Sequence, residues 1–275
     1  MTSTHGGSTV ARRQLGRRLK WLRLEAGKSL EDVAEAQLAS RSKMWKIETG
    51  RIRIKQGDVL ALARFYGAGG PQTDELVALA ASTAAPGLVT DGSAVLPWLG
   101  PYADFEASCS ILREYRCELV HGLLQTPDYA RAVIAADSDL PPAVVEQRIA
   151  FRMARQRAFF DRPQPGRLDF VTTAAALHLV VGSAPVMEAQ IARLRAVGAR
   201  DEVSVRVLPF TDGVHVAMDS TFTIMDFADP DDPPLVYLES LIGSRYVERI
   251  EHVAEFRRAF DRIRGQAVPL EEYLQ

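Results

Sequence analysis

The chain has 275 residues, enough for two domains, with 47% hydrophobic and 25% charged residues and a mean hydropathy of −0.06. No apolar run approaches the ~18 residues that span a bilayer, and residues 1–10 are small and polar, which predicts no secretory signal. The two cysteines, Cys109 and Cys117, form neither a disulfide framework nor a CxxC metal pair. Membrane proteins, secreted disulfide scaffolds and zinc fingers are therefore excluded, and we expect a cytoplasmic globular protein.

Charge is distributed unevenly along the chain, although the net charge is only −2. Residues 1–70 carry 14 Lys and Arg against 6 Asp and Glu, a net charge of +8, and they include all five lysines. Residues 71–275 therefore carry a net charge of −10. A basic segment beside an acidic remainder indicates that the N-terminal part faces a polyanion and that the rest does not.

The N-terminal segment shows the spacing of four short helices. Apolar residues recur at helical spacing from Leu15, and Gly27 is placed to end the first helix. Ser29 precedes a short second helix in a pattern resembling a capping box, with an aspartate three residues later. Ser40 begins a third helix, and a fourth is predicted over residues 58–66.

The second and third of these helices predict a helix-turn-helix, because both are short, a tight turn joins them, and the third has a basic outer face. A major groove about 12 Å wide admits one such helix, whose side chains contact base edges while basic residues contact phosphates. The predicted DNA-binding residues are Ser40, Arg41, Ser42, Lys43, Trp45, Lys46, Arg51 and Arg53. The alternative is a small helical bundle with a basic surface.

These segments resemble the Xre (λ-repressor-like) DNA-binding domain through LGRRLKWLRLEAGKSLEDVAE, SRSKMWKIETGR and DVLALARFYG. The resemblance implies a double-stranded DNA partner and a pairing of Glu48 with an arginine of the first helix, for which Arg18 is the matching position. Leu38 stands where the family usually has a glycine with positive φ. Trp45 replaces a small polar residue on the outer face, where it faces DNA sugars, the C-terminal domain or another protomer.

The rest of the chain predicts a linker and an α+β domain with a mostly antiparallel sheet, so the fold class is an all-α helix-turn-helix domain followed by an α+β domain. The predicted divisions are a helix-turn-helix domain over 10–70, a helix and linker over 71–100, and the α+β domain over 101–275. Within the linker, Leu96, Trp98 and Leu99 are expected to dock on a folded surface. Predicted helices cover 73–81, 103–114, 142–161, 185–199 and 248–264, with another beginning at Pro127, and predicted strands cover 117–120, 168–172, 203–208, 222–227 and 235–238.

The C-terminal part also resembles a known domain, the domain of unknown function found behind Xre domains in actinobacterial regulators. The shared patterns are RxY followed by VxGLLQTxxYA within residues 113–130, RxxRQ at 152–156 and VxVLPFxxGxH at 205–215. His121 departs from the family, which usually has proline there. Some members are encoded beside a small acidic partner protein and are linked to development or antibiotic production, so the resemblance implies regulation without naming a ligand.

No strong catalytic or metal-binding pattern occurs, since the five histidines lack HxxxH and HxH spacing and no GxSxG or P-loop sequence is present. We therefore predict no catalytic residue, metal or cofactor. The candidate ligand or partner residues are Arg113, Tyr115, Arg116 and Gln125, which are placed to converge on an anion, and His215, which follows a glycine-containing loop. For each of them the alternative is a structural role.

Together these patterns predict a sequence-specific DNA-binding transcriptional regulator whose C-terminal domain binds an effector or a small protein partner. One recognition helix makes few contacts, so we expect a homodimer on an inverted-repeat operator, joined through the acidic C-terminal domain. Two alternatives remain open. A deep pocket of titratable residues around His215 would indicate an enzyme targeted by its DNA-binding domain, and an exposed apolar patch on the C-terminal domain would indicate an antitoxin-like partner-binding protein.

Overall fold

The computed structural model describes residues 6–82, 99–136, 139–241 and 243–275. The predicted docking residues Leu96 and Trp98, and most of the predicted linker around them, lie outside the described residues. The chain divides into two compact units, Met1–Thr90 and Asp91–Gln275. Among the described helices, none is both long and apolar enough to cross a membrane.

The N-terminal unit is helical, as predicted, and encloses one apolar core. Its helices are α1 (Gly6–Glu25), α2 (Leu30–Glu35), α3 (Arg41–Glu48), α4 (Gln56–Phe65) and α5 (Gly70–Ser82). Leu15 and Leu19 of α1 pack there with Met44 and Ile47 of α3, and all four side chains are buried. The predicted apolar stripe of the first helix is therefore the side that holds α3.

Local hydrogen bonds begin α2 and α3 where the sequence predicts. The Oγ of Ser29 accepts the backbone N–H of Asp32 at 3.1 Å, and the Asp32 carboxylate accepts the N–H of Ser29 at 2.6 Å, which completes a capping box. The Oγ of Ser40 accepts the N–H of Lys43 at 3.2 Å. Both helices thus begin at a serine that satisfies an otherwise unpaired backbone donor.

The turn between α2 and α3 differs from the expected geometry by one residue. Gly27 ends α1 with a positive φ of 64°, as predicted, but the corresponding residue after α2 is Gln37, with φ of 58°, and not Leu38. Leu38 comes next and donates its N–H to the carbonyl oxygen of Val33 at 3.2 Å, which closes a Schellman motif. A side chain in this backbone region costs about 1 kcal/mol, so the turn forms without glycine at a small energetic cost.

The C-terminal unit is an α+β domain around one seven-stranded sheet, which confirms the predicted fold class. The strands are β1 (Ile111–Arg116), β2 (Arg167–Thr173), β3 (Val203–Leu208), β4 (Phe222–Asp226), β5 (Leu235–Ser240), β6 (Gly243–Val247) and β7 (Val268–Pro269). Their order is β6-β5-β4-β1-β2-β3-β7. The β1–β2 and β2–β3 pairs are parallel and the other neighbouring pairs are antiparallel.

The helices of this unit lie between and beyond the strands in sequence. They are α6 (Leu99–Ser108), α7 (Pro127–Ala135), α8 (Pro142–Phe160), α9 (Ala175–His178), α10 (Ala184–Gly198), α11 (Ile250–Gln266) and α12 (Leu270–Tyr273), with short 3-10 helices at Gly122–Leu124 and Phe210–Asp212. Thr126 caps α7 through its Oγ, and a proline follows at the first helical position, as predicted.

Two predictions at the start of this domain are wrong. The helix expected over 103–114 ends at Ser108, and the strand expected over 117–120 lies instead at Ile111–Arg116. β1 pairs with β2 on one side and β4 on the other, so its hydrogen bonds come from segments more than 50 residues away. The local sequence pattern did not predict this strand, because pairing within the sheet overrides the helical preference of its arginine and glutamate residues.

Strand alternation gives the central sheet two different faces. Glu114 of β1 lies in register with Phe170 and Thr223 on the face that packs against α6 and α8. Tyr115 belongs to the opposite face, where it packs in one apolar cluster with Phe260 of α11. Neighbouring residues of β1 therefore contribute to two separate environments.

Candidate functional site

The eight predicted DNA-binding residues lie at the N-cap of α3, on α3 itself and in the segment that follows it. Met44 and Ile47 of the same helix are buried, so the polar side chains between them point away from the core. The exposed residues are Ser40, Arg41, Ser42, Lys43, Lys46, Arg51 and Arg53, and Trp45 is half-buried. The structure thus leaves seven of the eight predicted side chains exposed and the eighth half-buried.

Ion pairs hold two basic side chains of this surface near acidic neighbours. A guanidinium nitrogen of Arg41 lies 3.0 Å from a Glu31 carboxylate oxygen, and the Nζ of Lys43 lies 3.3 Å from Asp58. All four side chains are exposed by 42% or more. Exposed pairs of this kind contribute only ~0–1 kcal/mol, so each basic side chain can exchange its carboxylate for another acceptor at little cost.

Trp45 contacts another residue of the predicted set. The guanidinium carbon of Arg51 lies 4.2 Å from the centroid of the Trp45 ring, within cation–π distance. The backbone also folds back here, because the N–H of Arg51 donates to the carbonyl oxygen of Lys46 at 2.8 Å. The end of α3 and the following turn therefore present one continuous basic and aromatic surface.

The arginine that pairs with Glu48 is Arg23, and the implied pairing with Arg18 is wrong. The Nε and a terminal nitrogen of Arg23 donate to the two carboxylate oxygens of Glu48 at 2.6 and 2.9 Å, and both side chains are less than 10% exposed. The other terminal nitrogen donates to the carbonyl oxygen of Lys28 at 2.7 Å. Arg18 instead lies 3.3 Å from Glu75 of α5.

Arg23 follows the buried residues Leu15 and Leu19 at a spacing of four, so it lies on the same side of α1. Arg18 lies about 140° around the helix from Arg23. Helical spacing was thus the signal that identifies the correct arginine. Hydrogen bonds from Arg23 to Glu48 raise the pKa of the arginine, although burial acts against its charge. This buried pair fixes the C-terminal end of α3 against α1.

A glycine not singled out from the sequence permits the close approach of α1 to α3. A Cβ atom on Gly16 would lie 2.4 Å from the carbonyl oxygen of Ile47 and 2.6 Å from that of Glu48. Both distances are far below van der Waals contact, and the atoms that a side chain would strike belong to the backbone. Gly16 is therefore a packing residue that sets the position of α3.

In the C-terminal unit, the structure separates the residues predicted to converge on one anion. Arg113 pairs with Asp226, and Tyr115 lies on the same side of the sheet as α11. Arg116 lies on the opposite face, where its Nε donates to Glu114 at 2.6 Å, and Gln125 donates to the carbonyl oxygen of Val120. The prediction of one shared site is wrong because adjacent strand residues point to opposite faces.

His215 bonds to Tyr115 of β1 and to the backbone of its own loop. Its Nε2 lies 3.2 Å from the Tyr115 hydroxyl, which also lies 3.1 Å from the Sγ of Cys117. The Nδ1 of His215 accepts the backbone N–H of Ala217 at 3.3 Å. Burial lowers the pKa of His215, which favours the neutral form of the imidazole.

A buried polar cluster occupies the α6–α8 side of the sheet, and sequence reasoning did not identify it. The Nε2 of His121 lies 2.6 Å from Glu114, and Arg155 donates two hydrogen bonds of 2.7 Å to Glu106. Burial disfavours the charge of Glu114, but His121 and Arg116 lower its pKa to about 2. The signal available in the sequence was the RxxRQ pattern on α8, whose first arginine and glutamine also join this cluster.

An open cleft of about 310 Å³ lies at the end of β1. It is lined by Arg116, Cys117, Glu118, Leu119, Met218, Asp219, Ser220 and Thr221, and His215 is not among these residues. Within the described part of the chain, no group of three histidine, cysteine or acidic residues is placed to hold a metal ion.

The capped α2–α3 pair and its exposed basic side define the N-terminal unit as a helix-turn-helix domain. Residues 14–76 match the family described as a helix-turn-helix domain, which indicates a DNA-binding regulator. Residues 99–274, more than half of the chain, match the domain of unknown function DUF5753, and the chain belongs to this family. No curated protein and no solved structure matches the chain.

Proposed function

We propose that this protein is a cytoplasmic, sequence-specific transcriptional regulator of the Xre type that binds DNA with α3 and catalyses no reaction. The observation that carries the proposal is the exposed basic surface of α3, held in place by Gly16 and the buried Arg23–Glu48 pair. A rigid, N-capped helix with basic side chains along one side suits entry into the major groove.

The short recognition helix favours binding as a homodimer. α3 spans only eight residues, and one such helix contacts a few base pairs. A dimer doubles these contacts on two half-sites about 34 Å apart, so we propose an inverted-repeat operator. Sedimentation of the full chain at micromolar concentration, with and without DNA, tests this. A monomer under both conditions would contradict the homodimer.

The C-terminal domain is proposed to bind an effector or a small protein partner. Several large apolar side chains of this unit are exposed, in particular Phe210 at 67% and Val214 at 84%. The rings of Phe210 and His178 lie 6.0 Å apart, and Leu179 and Val180 beside His178 are also exposed. Exposed apolar side chains brought together in this way favour a protein-binding role, the second candidate function for this domain.

DNA binding is tested with three variants of the full chain. The affinity is measured by fluorescence anisotropy at fixed salt for a duplex selected by the wild-type chain from a random pool, and for a random duplex. Arg41→Ala should lose ~1–3 kcal/mol on the selected duplex and less on the random one, because we propose that this side chain contacts a base. Lys46→Ala should weaken both duplexes alike.

The matched control is Arg157→Ala, which removes an exposed arginine from α8 and should change neither affinity. Equal losses of Arg41→Ala on the two duplexes would contradict base recognition by Arg41. A wild-type chain that binds both duplexes with the same affinity would contradict sequence-specific regulation.

A further inference from the structure

The parallel strands β1, β2 and β3 end at one edge of the sheet, and hydrogen bonds join the segments that follow them. The Oγ1 of Thr173 donates to the carbonyl oxygen of Cys117 at 2.6 Å. The N–H of Ala174 donates to the carbonyl oxygen of Leu208 at 2.9 Å. The segments after the three strands therefore lie side by side, at the carboxyl ends where sheets with parallel strands commonly bind ligands.

Exposed apolar side chains are concentrated in these segments. In the described part of the C-terminal unit, all the large exposed apolar side chains except Leu241 and Ile250 belong to them. We call these residues the apolar edge: Leu179, Val180, Phe210, Val214, Val216 and Met218. Apolar side chains gathered at one place on a surface are typical of a protein-binding site.

The loop that carries most of the apolar edge is anchored to the sheet. The Nε2 of His215 lies 3.2 Å from the Tyr115 hydroxyl, and Ala217 is 5% exposed, so alternate residues of the loop point inward. The residues on either side of them point outward, with exposed fractions of 84% for Val214, 49% for Val216 and 56% for Met218. The fold therefore holds three apolar side chains in solvent at fixed positions.

The apolar edge also meets the open cleft at the end of β1, because Met218 lines that cleft together with Cys117. The exposed carboxylates of the same segments are those of Glu118, Asp212 and Asp219. Two of them, Glu118 and Asp219, line the cleft. The one arginine of these segments, Arg116, is already paired with Glu114 at 2.6 Å and Glu239 at 3.7 Å. The exposed charge beside the apolar edge is therefore acidic.

Apolar side chains that protrude among acidic groups favour one kind of occupant. DNA and anionic lipid surfaces carry the same sign of charge and are repelled. A symmetric contact between two copies of the apolar edge would bring two acidic patches together. A protein surface that has apolar side chains around a basic residue complements both the shape and the charge.

We infer that the apolar edge binds a partner protein through a segment with apolar side chains on either side of a lysine or arginine. The cation of that residue enters the cleft beside Glu118 and Asp219, while the apolar neighbours cover Phe210 and Val214. This inference rests on the proposed function, in which the C-terminal domain binds an effector or a small protein partner. It gives the partner a chemical class and a place on the domain.

The probe is a pool of random short peptides displayed on phage, selected on the full chain at physiological salt. The affinities of enriched peptides are then measured by fluorescence anisotropy for the wild type and for variants. We expect enriched peptides to carry lysine or arginine between apolar residues. Peptides that bind the basic N-terminal unit are recognised because substitutions in the apolar edge do not change their affinity.

The double variant Phe210→Ser/Val214→Ser should weaken the enriched peptides by at least about tenfold, because it removes the apolar contacts without adding charge. Both side chains are exposed, so the domain should stay folded. The matched control is Leu241→Ser/Ile250→Ser, which removes two exposed apolar side chains outside the apolar edge and should bind like the wild type.

Charge recognition is tested with Asp219→Lys. This variant should weaken the basic peptides and bind more tightly to copies in which glutamate replaces the basic residue. Glu255→Lys, which reverses an exposed charge on α11, should keep the wild-type preference. An unchanged preference in Asp219→Lys would contradict entry of a cation into the cleft.

No enriched peptide, enriched peptides without a basic residue, or equal affinities for wild type and Phe210→Ser/Val214→Ser would overturn the inference. Sedimentation of the same samples tests a second copy as the occupant. Loss of a homodimer in Phe210→Ser/Val214→Ser alone would also overturn it. DNA affinity is measured in parallel. Selective DNA binding without peptide binding would refute this inference and leave the regulator intact, whereas a wild-type chain without DNA selectivity would refute the proposed function.

Discussion

Replacement of Arg23 tests the account of how α3 is held in place. Arg23→Ala removes a guanidinium that makes two hydrogen bonds to Glu48 and one to the carbonyl oxygen of Lys28. The carboxylate of Glu48 is then left buried without its partner. Removal of one member of a buried pair costs ~3–5 kcal/mol, a large fraction of the total stability of ~5–15 kcal/mol for a domain.

Arg18→Ala is the matched control, because the same substitution on the same helix breaks a pair whose side chains are 36% and 68% exposed. It should cost less than ~1 kcal/mol. Hydrogen exchange of the full chain, followed by mass spectrometry, gives the opening free energy of α1 and α3 for each variant. Arg23→Ala should also lower DNA affinity, since α3 loses its fixed position.

A loss of stability in Arg23→Ala can come from the lost ion pair itself or from the buried Glu48 carboxylate left without a partner. The double variant Arg23→Met/Glu48→Leu separates these two causes. Replacing a buried ion pair with apolar residues of similar size is often neutral or stabilising, so the double variant should recover most of the stability. A cost below ~1 kcal/mol for Arg23→Ala, or a larger cost for Arg18→Ala, would refute the assignment of Arg23 as the partner of Glu48.

Two further substitutions test packing and buried charge by chemical denaturation and its pH dependence. Gly16→Ala should destabilise the N-terminal unit by ~1–3 kcal/mol through its clash with the Ile47 carbonyl, whereas Gly57→Ala, with open space around it, should be neutral or slightly stabilising. A tolerated Gly16→Ala would contradict the close approach of the helices. The pKa of Glu114 is about 2 in the folded chain and near 4.5 in the unfolded chain, so its ionised carboxylate stabilises the fold above pH 4.5. Roughly 3 kcal/mol of this stabilisation is lost as the pH falls toward 2. Glu114→Gln should remove this acid dependence and Glu146→Gln, at an exposed site, should retain it; identical acid profiles would contradict the buried charge pair.

Local chemistry made much of the N-terminal unit predictable. Ser29 and Ser40 cap helices through bonds to residues three positions away, so the signal lies within a few residues of sequence. The outward direction of the basic residues of α3 follows from the burial of Met44 and Ile47. The partner of Glu48 was misplaced because that choice depends on which side of α1 meets α3, 25 residues away in the chain.

The C-terminal domain was less predictable because its contacts are long-range. β1 carries charged residues, and its first four residues were assigned to a helix, yet its partners lie in β2 and β4. Arg113 and Arg116 were expected to converge on one anion, but as residues three positions apart on a strand they point to opposite faces of the sheet. The cluster of His121, Glu114 and Arg155 combines residues from three separate elements, and no single sequence window contains them.

We propose that the surface of α3 recognises a DNA sequence, and selection of duplexes from a random pool by the full chain tests this most directly. We predict enrichment of an inverted repeat with half-site centres about 10 base pairs, or one helical turn, apart. Selection with Arg41→Ala should change the preferred base at one position of each half-site and leave the spacing unaltered. A pool without any enriched sequence, or the same preference for wild type and Arg41→Ala, would contradict recognition of DNA through Arg41 of α3.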